Sequence, residues 1–212
     1  MIILWIAAGL LLGLALADMS NRLPRLAGYP APTARWHRVL HGGAAGFSAV
    51  VVGLLWAVTG DDWALFGAQV GIYAFLALVA LIDLRYRLVL NLMTYPAIGL
   101  AFVLQVTVGA GLLPALLGGG MAFAVFYGTA LLQPDSLGGG DVKLATLIGV
   151  ALGFPPMLWA LIVGAGAGAV VAIGLIAARR SGTIAVSTMP YAPFLCLGAG
   201  VALVYNPFTF II

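Results

Sequence analysis

The sequence contains no glutamate and only one cysteine among its 212 residues. Without glutamate the chain cannot form an HExxH zinc protease motif or a protease of the CAAX type, whose catalysis depends on glutamate. The single cysteine, Cys196, cannot form an internal disulfide, and no CxxC pair is present to bind zinc. Carboxylate chemistry is therefore left to the six aspartates, which are Asp18, Asp61, Asp62, Asp83, Asp135 and Asp141.

Charged residues of either sign are scarce, at 7% of the chain, whereas hydrophobic residues make up 64%. A typical soluble domain is about one quarter charged, so this chain lacks the polar residues that would cover a soluble core of its size. Its apolar runs are continuous instead of alternating, which argues against a transmembrane β-barrel. The composition predicts an all-α, polytopic integral membrane protein whose first partner is the lipid bilayer. No basic patch indicates a nucleic-acid partner.

Apolar runs that approach the length needed to cross a bilayer, about 20 residues, recur along the whole chain. They predict about eight transmembrane helices, near residues 1–17, 43–59, 63–82, 91–109, 113–132, 142–153, 157–178 and 191–206. Paired prolines do not fit inside a helix, so Pro155 and Pro156 indicate a turn between the sixth and seventh spans; one kinked helix is the alternative. Residues 1–212 then form a single transmembrane domain, with a cytoplasmic loop at 18–42 and no separate soluble domain.

The basic residues predict the orientation of these spans. With eight spans, every lysine and arginine falls in an odd-numbered loop, on one side of the membrane: Arg22, Arg25, Arg35, Arg38, Arg85, Arg87, Lys143, Arg179 and Arg180. The positive-inside rule makes that side cytoplasmic, and both termini are then extracytoplasmic. Asp61 and Asp62 fall on the outer side, and Asp135 is predicted to be a solvated residue of the fifth loop.

Two aspartates are predicted at the cytoplasmic membrane boundary, although 58 positions separate them: Asp83 ends the third span and Asp141 begins the sixth. Carboxylates at such a boundary are costly unless they are paired, hydrated or used for function. One interpretation is structural, with Asp83 neutralised by Arg85 or Arg87 and Asp141 by Lys143. The other is catalytic, with one ionised aspartate taking a proton from water while the other, protonated, donates to a peptide carbonyl oxygen. The residues alone leave both interpretations open.

Three glycines, Gly138, Gly139 and Gly140, directly precede Asp141. Glycine puts no side chain in the way of an extended substrate backbone, and it permits positive φ. We predict that these glycines make room for a substrate and let the chain turn abruptly into the sixth span. A flexible loop is the alternative explanation.

Four further residues are predicted to support the two aspartates. Pro190 and Pro193 lack backbone N–H donors, so we predict that they keep the start of the last span unwound, where an extended substrate could pair. Lys143 lies two positions after Asp141, a spacing that does not favour a direct pair on a helix. Lys143 and Arg85 either influence the aspartates or extend to lipid phosphates.

The residues around both aspartates resemble the bacterial type IV prepilin peptidases, which are membrane aspartic proteases of the GxGD type. The segment "DLRYRLVLN" (Asp83–Asn91) is similar to the family's D-x-R-x-x-x-I-P-[DN], and "GGGDVK" (Gly138–Lys143) to G-[GA]-G-D-x-K. Two more segments, "MPYAPFLCLG" (Met189–Gly198) and "GLALADMSNRLP" (Gly13–Pro24), resemble further family elements. Leu90 stands where the first motif has proline, so we expect the turn after Asp83 to differ.

The resemblance implies that Asp83 and Asp141 form a catalytic pair. This pair would cleave the short basic leader from prepilins or pseudopilins at the cytoplasmic face of a bacterial inner membrane, in a pathway with pilus or secretion assembly machinery. Proteolysis would need no cofactor, and S-adenosylmethionine would be used only if the N-methylation activity of larger members is retained. The cysteine-rich zinc insert of those members is absent here. His37 and His41 are too few ligands for a zinc site, so no metal is expected.

Four other functions stay open as alternatives. The two aspartates could be proton or ion sites of a small transporter, and GxGD also occurs in presenilin-like intramembrane proteases. The segment "GFSA" (Gly46–Ala49) is faintly similar to a rhomboid serine motif, and a non-enzymatic assembly factor is the fourth alternative. The position of both aspartates at one membrane face, and not at mid-bilayer, argues against a transporter. The D-x-R and PYAPF residues favour the prepilin peptidases over the presenilin-like proteases.

Overall fold

The computed structural model describes residues 2–29, 37–60, 62–132, 138–180 and 190–210. This part of the chain contains eight α-helices, a 3₁₀ helix and no β-strand. The α-helices are α1 (Ile2–Leu26), α2 (His37–Thr59), α3 (Trp63–Tyr86), α4 (Asn91–Thr107), α5 (Leu112–Leu132), α6 (Gly139–Leu152), α7 (Pro156–Arg180) and α8 (Ala192–Val204), and the 3₁₀ helix is Pro207–Phe210. They correspond one for one to the predicted spans, which confirms the all-α class. Asp61 and Asp135, for which positions were predicted, lie outside the described residues.

Five of the helices are long and apolar enough to cross a membrane: α1, Val39–Thr59 of α2, α3, α5 and Pro156–Ala177 of α7. Helices α4 and α8 are apolar but shorter. Helix α6 has only 14 residues, which corresponds to roughly 21 Å at 1.5 Å per residue. Large apolar side chains are exposed over the surface of the bundle. The chain is therefore a multi-pass membrane protein.

Helices extend further into the first loop than the sequence predicted. Helix α1 continues to Leu26 and α2 begins at His37, so the connection is much shorter than 18–42. Between α6 and α7 the predicted turn is confirmed, because α6 ends at Leu152 and α7 begins at Pro156. Proline at a helix start loses no hydrogen bond, since the first backbone N–H groups have no partner within the helix.

Glycines let neighbouring helices cross with their backbones in contact. A Cβ atom on Gly118 of α5 would overlap the carbonyl oxygen of Gly149 in α6, and a Cβ on Gly149 would overlap that of Gly118. In the same way, a Cβ on Gly198 of α8 would lie 2.8 Å from the Cα of Gly164 in α7. Small residues at such crossings allow the close packing that drives helix association in lipid.

One end of the bundle carries the lysine and arginine side chains that the structure describes, and we call it the basic end. It contains the C-terminal ends of α1 and α3 and the N-terminal ends of α4 and α6, because Asn21 of α1 bonds Arg85 of α3 and Lys143 of α6 bonds Asn91 of α4. Helix α6 lies in the interior: nine of its residues are buried, in a continuous core with α3 and α8. Helix α6 thus begins at the basic end and continues through the interior of the bundle.

Candidate active site

Asp83 lies in the last turn of α3, and only 6% of its surface is exposed. The helix ends because Arg87 takes the left-handed conformation, with φ 53°, and its backbone N–H donates to the carbonyl oxygen of Asp83 at 2.8 Å. Such left-handed residues commonly end helices, although glycine is the usual choice. The helix end thus fixes Asp83 one turn before the chain leaves α3.

Asp141 lies in the first turn of α6, where the start of the helix holds its carboxylate. Gly138 is the N-cap in an extended conformation, with φ −72° and ψ 143°, and its backbone N–H donates to the Asp141 carboxylate. This is half of a capping box, in which the third helical residue bonds back to the N-cap N–H. The other half is missing because Gly138 has no side chain. The half-buried Asp141 is therefore positioned by its own helix.

The three glycines before Asp141 serve different purposes, and none of them has positive φ. A Cβ on Gly140 would lie 2.9 Å from the Cβ of Val89, and one on Gly138 would lie 3.3 Å from Oδ2 of Asp141. Gly139 has open space around its α-carbon. Gly140 therefore allows the segment after α3 to pack against the start of α6. The positive φ that glycine would permit is not used here.

The carboxylates of Asp83 and Asp141 lie close enough to interact electrostatically, and both interact with the thiol of Cys196 in α8. The backbone N–H of Ala192, the first residue of α8, donates to the Asp83 carboxylate. Each carboxylate thus accepts from the N-terminal end of a helix, where the helix dipole favours negative charge. Oδ2 of Asp83 is buried without a hydrogen-bond partner among the described residues. The structure brings together two aspartates that are far apart in sequence, and we call them the dyad.

Lys143 contacts α4 instead of the dyad. Its Nζ donates to Oδ1 of Asn91 at 2.9 Å and lies 4.9 Å from the ring centroid of Tyr95, within the range of a cation–π interaction. Sequence reasoning had left Lys143 without a clear role and had missed Asn91 as its partner. The available signal was that each residue ends one of the two aspartate motifs. Lys143 ties the start of α6 to the start of α4.

Arg85 joins α3 to α1 and does not neutralise Asp83. Its Nη1 donates to Oδ1 of Asn21, and the hydroxyl of Tyr86 donates to the backbone oxygen of Asn21 at 3.4 Å. Nε and Nη2 of Arg85 are buried without a partner in the described part of the chain. Arg87 is the basic residue that interacts electrostatically with Asp83. Asn21 is buried, and sequence reasoning missed it because its partner is distant in the chain.

The structure defines the backbone at the two motif prolines, Pro190 and Pro193, and at Leu90, which replaces a motif proline. Leu90 has φ −73°, within the range of about −65 ± 15° that a proline ring imposes, so the expected change at this turn is not seen in φ. Pro193 lies in the first turn of α8, where a missing N–H is tolerated. Pro190 precedes the helix. The predicted unwound start of α8 therefore extends to Tyr191 but does not include Pro193, which is a correction.

Ser48, in the segment similar to a rhomboid motif, bonds a tyrosine. Its Oγ lies 2.8 Å from the hydroxyl oxygen of Tyr73, and Ser48 is buried. This pairing argues against a Ser–His dyad at this position. Over the residues that the structure describes, no three histidine, cysteine or acidic side chains cluster as metal ligands would. The side chain of His37 lies outside the described set.

An apolar cavity of about 410 Å³ opens between α2, α3 and α8, and we call it the α2–α3–α8 groove. Leu84, Pro193 and Cys196 line it near the dyad, and Ser48 and Tyr73 line it at its other end. The carboxylate, ammonium and adenosine groups of S-adenosylmethionine need polar partners when buried. The two hydroxyls in this groove already bond each other, so the groove does not suit that cofactor.

Comparison with known proteins places this site in a family context. Residues 70–173 match the sequence profile of the type IV leader peptidase family. The prepilin leader peptidase/N-methyltransferase of Vibrio cholerae serotype O1 is 32% identical over 123 residues, which cover 54% of this chain and 48% of that protein. The chain thus spans about half the length of this curated relative, and no solved structure matches it. Residues 70–173, the segment that holds Asp83 and Asp141, are therefore similar to the type IV leader peptidase family.

Proposed function

We propose that this protein is a membrane-embedded aspartic endopeptidase that removes the short basic leader from type IV prepilins or pseudopilins. The observation that carries the proposal is the pairing of Asp83 and Asp141, each held at the N-terminal end of a helix. The family match and the name of the Vibrio relative support a leader peptidase. N-methylation of the new amino terminus, with S-adenosylmethionine, is doubtful because the α2–α3–α8 groove beside the dyad is apolar.

The dyad would act by activating water without a covalent intermediate. Two carboxylates that interact electrostatically cannot both ionise cheaply, so one would be ionised and the other would keep its proton. The ionised carboxylate takes a proton from water, whose oxygen attacks the scissile carbonyl carbon, while the protonated carboxyl donates to the carbonyl oxygen. On collapse, the first carboxyl returns its proton to the leaving amine. The second carboxylate recovers a proton from a hydroxyl of the intermediate, which restores the starting state.

The proposed setting is a bacterial inner membrane, with the basic end facing the cytoplasm and both termini outside. The support is the positive-inside rule, since Arg22, Arg25, Arg85, Arg87 and Lys143 lie on helix ends at or next to the basic end. The dyad at this end is accessible to a leader that remains cytoplasmic. A basic leader would also find two acidic side chains there. Pilus or secretion assembly machinery would use the mature product.

The test is leader removal by the purified, full-length protein in liposomes that contain a candidate prepilin, measured by mass spectrometry. The wild type is expected to release the leader. We expect Asp83→Asn and Asp141→Asn each to lower the rate by about 10³-fold, since general acid–base groups contribute about 10²–10⁴. Asp18→Asn is the matched control, because Asp18 is exposed and bonds Arg22 within α1. Wild-type rates in either dyad variant, or no cleavage by the wild type, would overturn the proposal.

A further inference from the structure

The α2–α3–α8 groove connects the dyad with the membrane-facing side of the bundle. We propose that it binds the apolar helical segment of the substrate adjacent to the cleaved bond, and so selects substrates by that segment. This inference rests on the proposed function, because it assumes that a peptide bond is cleaved at the dyad. It adds a second recognition surface, separate from the catalytic side chains.

The dimensions of the groove fit the side chains of a helix that lies along it. Its α3 wall extends from Leu84 to Tyr73, which is roughly 16 Å, or three helical turns, at 1.5 Å per residue. A complete helix is about 10 Å wide and would not fit into a volume of about 410 Å³. A bound helix would therefore lie along the opening of the groove and insert one row of side chains. The residues that line it carry no charge, which complements an apolar segment.

Helix α2 presents glycines at the opening of this groove. Gly43 lines the groove, and Gly42 and Gly46 lie beside it on the exposed side of α2. A Cβ on any of these three would meet nothing within 4 Å, whereas a Cβ on Gly13 of α1 would overlap the backbone of α2. Gly42 and Gly46 have the four-residue spacing that allows two membrane helices to approach closely. Among the described residues no helix occupies this face, so it is open to a helix from another molecule.

Continuity with the dyad identifies the occupant as the substrate. Leu84 lines the groove and directly follows Asp83 in α3. Pro193 lines it one residue after Ala192, whose N–H donates to the Asp83 carboxylate. A helix bound along the groove would therefore end beside the two carboxylates, which places its adjoining peptide bond at the site. The uncharged walls would hold the apolar segment, and the charged leader would stay at the acidic end. If a second copy of this chain bound in the groove instead, it would block access to the catalytic pair of the first copy.

The first experiment fills the groove and measures the kinetics of prepilin cleavage. Gly43→Leu adds a large side chain inside the groove, and Gly120→Leu adds the same side chain to α5, where a Cβ also meets nothing within 4 Å. We expect Gly43→Leu to raise KM about tenfold relative to Gly120→Leu, with a smaller defect on a short peptide that ends just after the cleaved bond. If the wild type cleaves and both variants have equal KM, the groove proposal fails while the proposed function stands. If the wild type does not cleave, the proposed function itself fails.

A second experiment does not depend on how well Gly43→Leu folds. A photo-crosslinking amino acid replaces Phe47, which lines the groove and is 50% exposed, or Phe123 of α5, which is 46% exposed. Both changes are made in full-length Asp141→Asn protein, in liposomes with uncleaved prepilin. The proposal predicts that position 47 crosslinks to the apolar segment of prepilin and that position 123 does not. Equal crosslinking at both positions, none at 47, or a crosslink from 47 to a second copy of this chain would overturn it.

Discussion

Gly139 and Gly140 are neighbours in the first turn of α6, but the same substitution is expected to have opposite effects at the two positions. A Cβ on Gly140 would lie 2.9 Å from Cβ and 3.2 Å from Cγ2 of Val89, whereas a Cβ on Gly139 meets nothing within 4 Å. Overpacking costs about 1–3 kcal/mol, and replacing glycine by alanine in a helix contributes up to about 1 kcal/mol. Gly140→Ala should therefore lower the free energy of unfolding by about 1–2 kcal/mol, and Gly139→Ala should raise it by less than about 1 kcal/mol.

The assay is reversible unfolding in mixed micelles, followed by tryptophan fluorescence, with leader cleavage measured on the same preparations. The clash introduced by Gly140→Ala would also push the segment after α3, which follows the helix that carries Asp83, away from the start of α6, which carries Asp141. We therefore expect Gly140→Ala to lower kcat/KM about tenfold or more, since misplacements of about 1 Å are costly in catalysis. Equal unfolding free energies and equal cleavage rates for Gly139→Ala and Gly140→Ala would refute this account of the glycines.

The remaining predictions concern the contacts that hold helix ends together near the dyad. Lys143→Met and Asn91→Leu should show a coupling of about 0.5–1 kcal/mol in a double-mutant cycle on the free energy of unfolding; additive effects would contradict the contact between α4 and α6. Asn21→Leu should destabilise the protein by about 1–3 kcal/mol, because it removes an acceptor from the partly buried Arg85. The exposed Met19→Leu is its control, and equal stability of these two variants would contradict the assigned bond.

The number and order of the helices could be predicted because each is an apolar run ended by glycine, proline or charge. The residues at which the helices begin or end at the basic end were less predictable. Hydropathy reports where the apolar region stops, but α1 continues as a helix to Leu26 through Asp18, Arg22 and Arg25. A charged side chain outside the apolar region does not by itself end a helix. The predicted loop therefore included residues that are helical.

It could be predicted that Asp83 and Asp141 lie at the same end of the bundle, because every second reversal of the chain returns it to that end, and the family resemblance implied their pairing. The groups around them could not be predicted, since they come from distant segments. The N–H of Ala192 bonds Asp83 because of how α8 packs on α3, and Gly140 is constrained by Val89, which lies in the connection after α3. The sequence shows that position 140 is a glycine, but only the fold shows which neighbouring side chain leaves no room for a larger residue there.

The central claim is that the two aspartates act as one catalytic unit, and a double-mutant cycle on cleavage tests it most directly. Rates of leader release in liposomes are compared for wild type, Asp83→Asn, Asp141→Asn and the double variant. Groups that act as a unit are strongly non-additive, so each single variant should fall to within about tenfold of the double variant. Losses that add, or a single variant that keeps wild-type kcat/KM, would contradict the dyad.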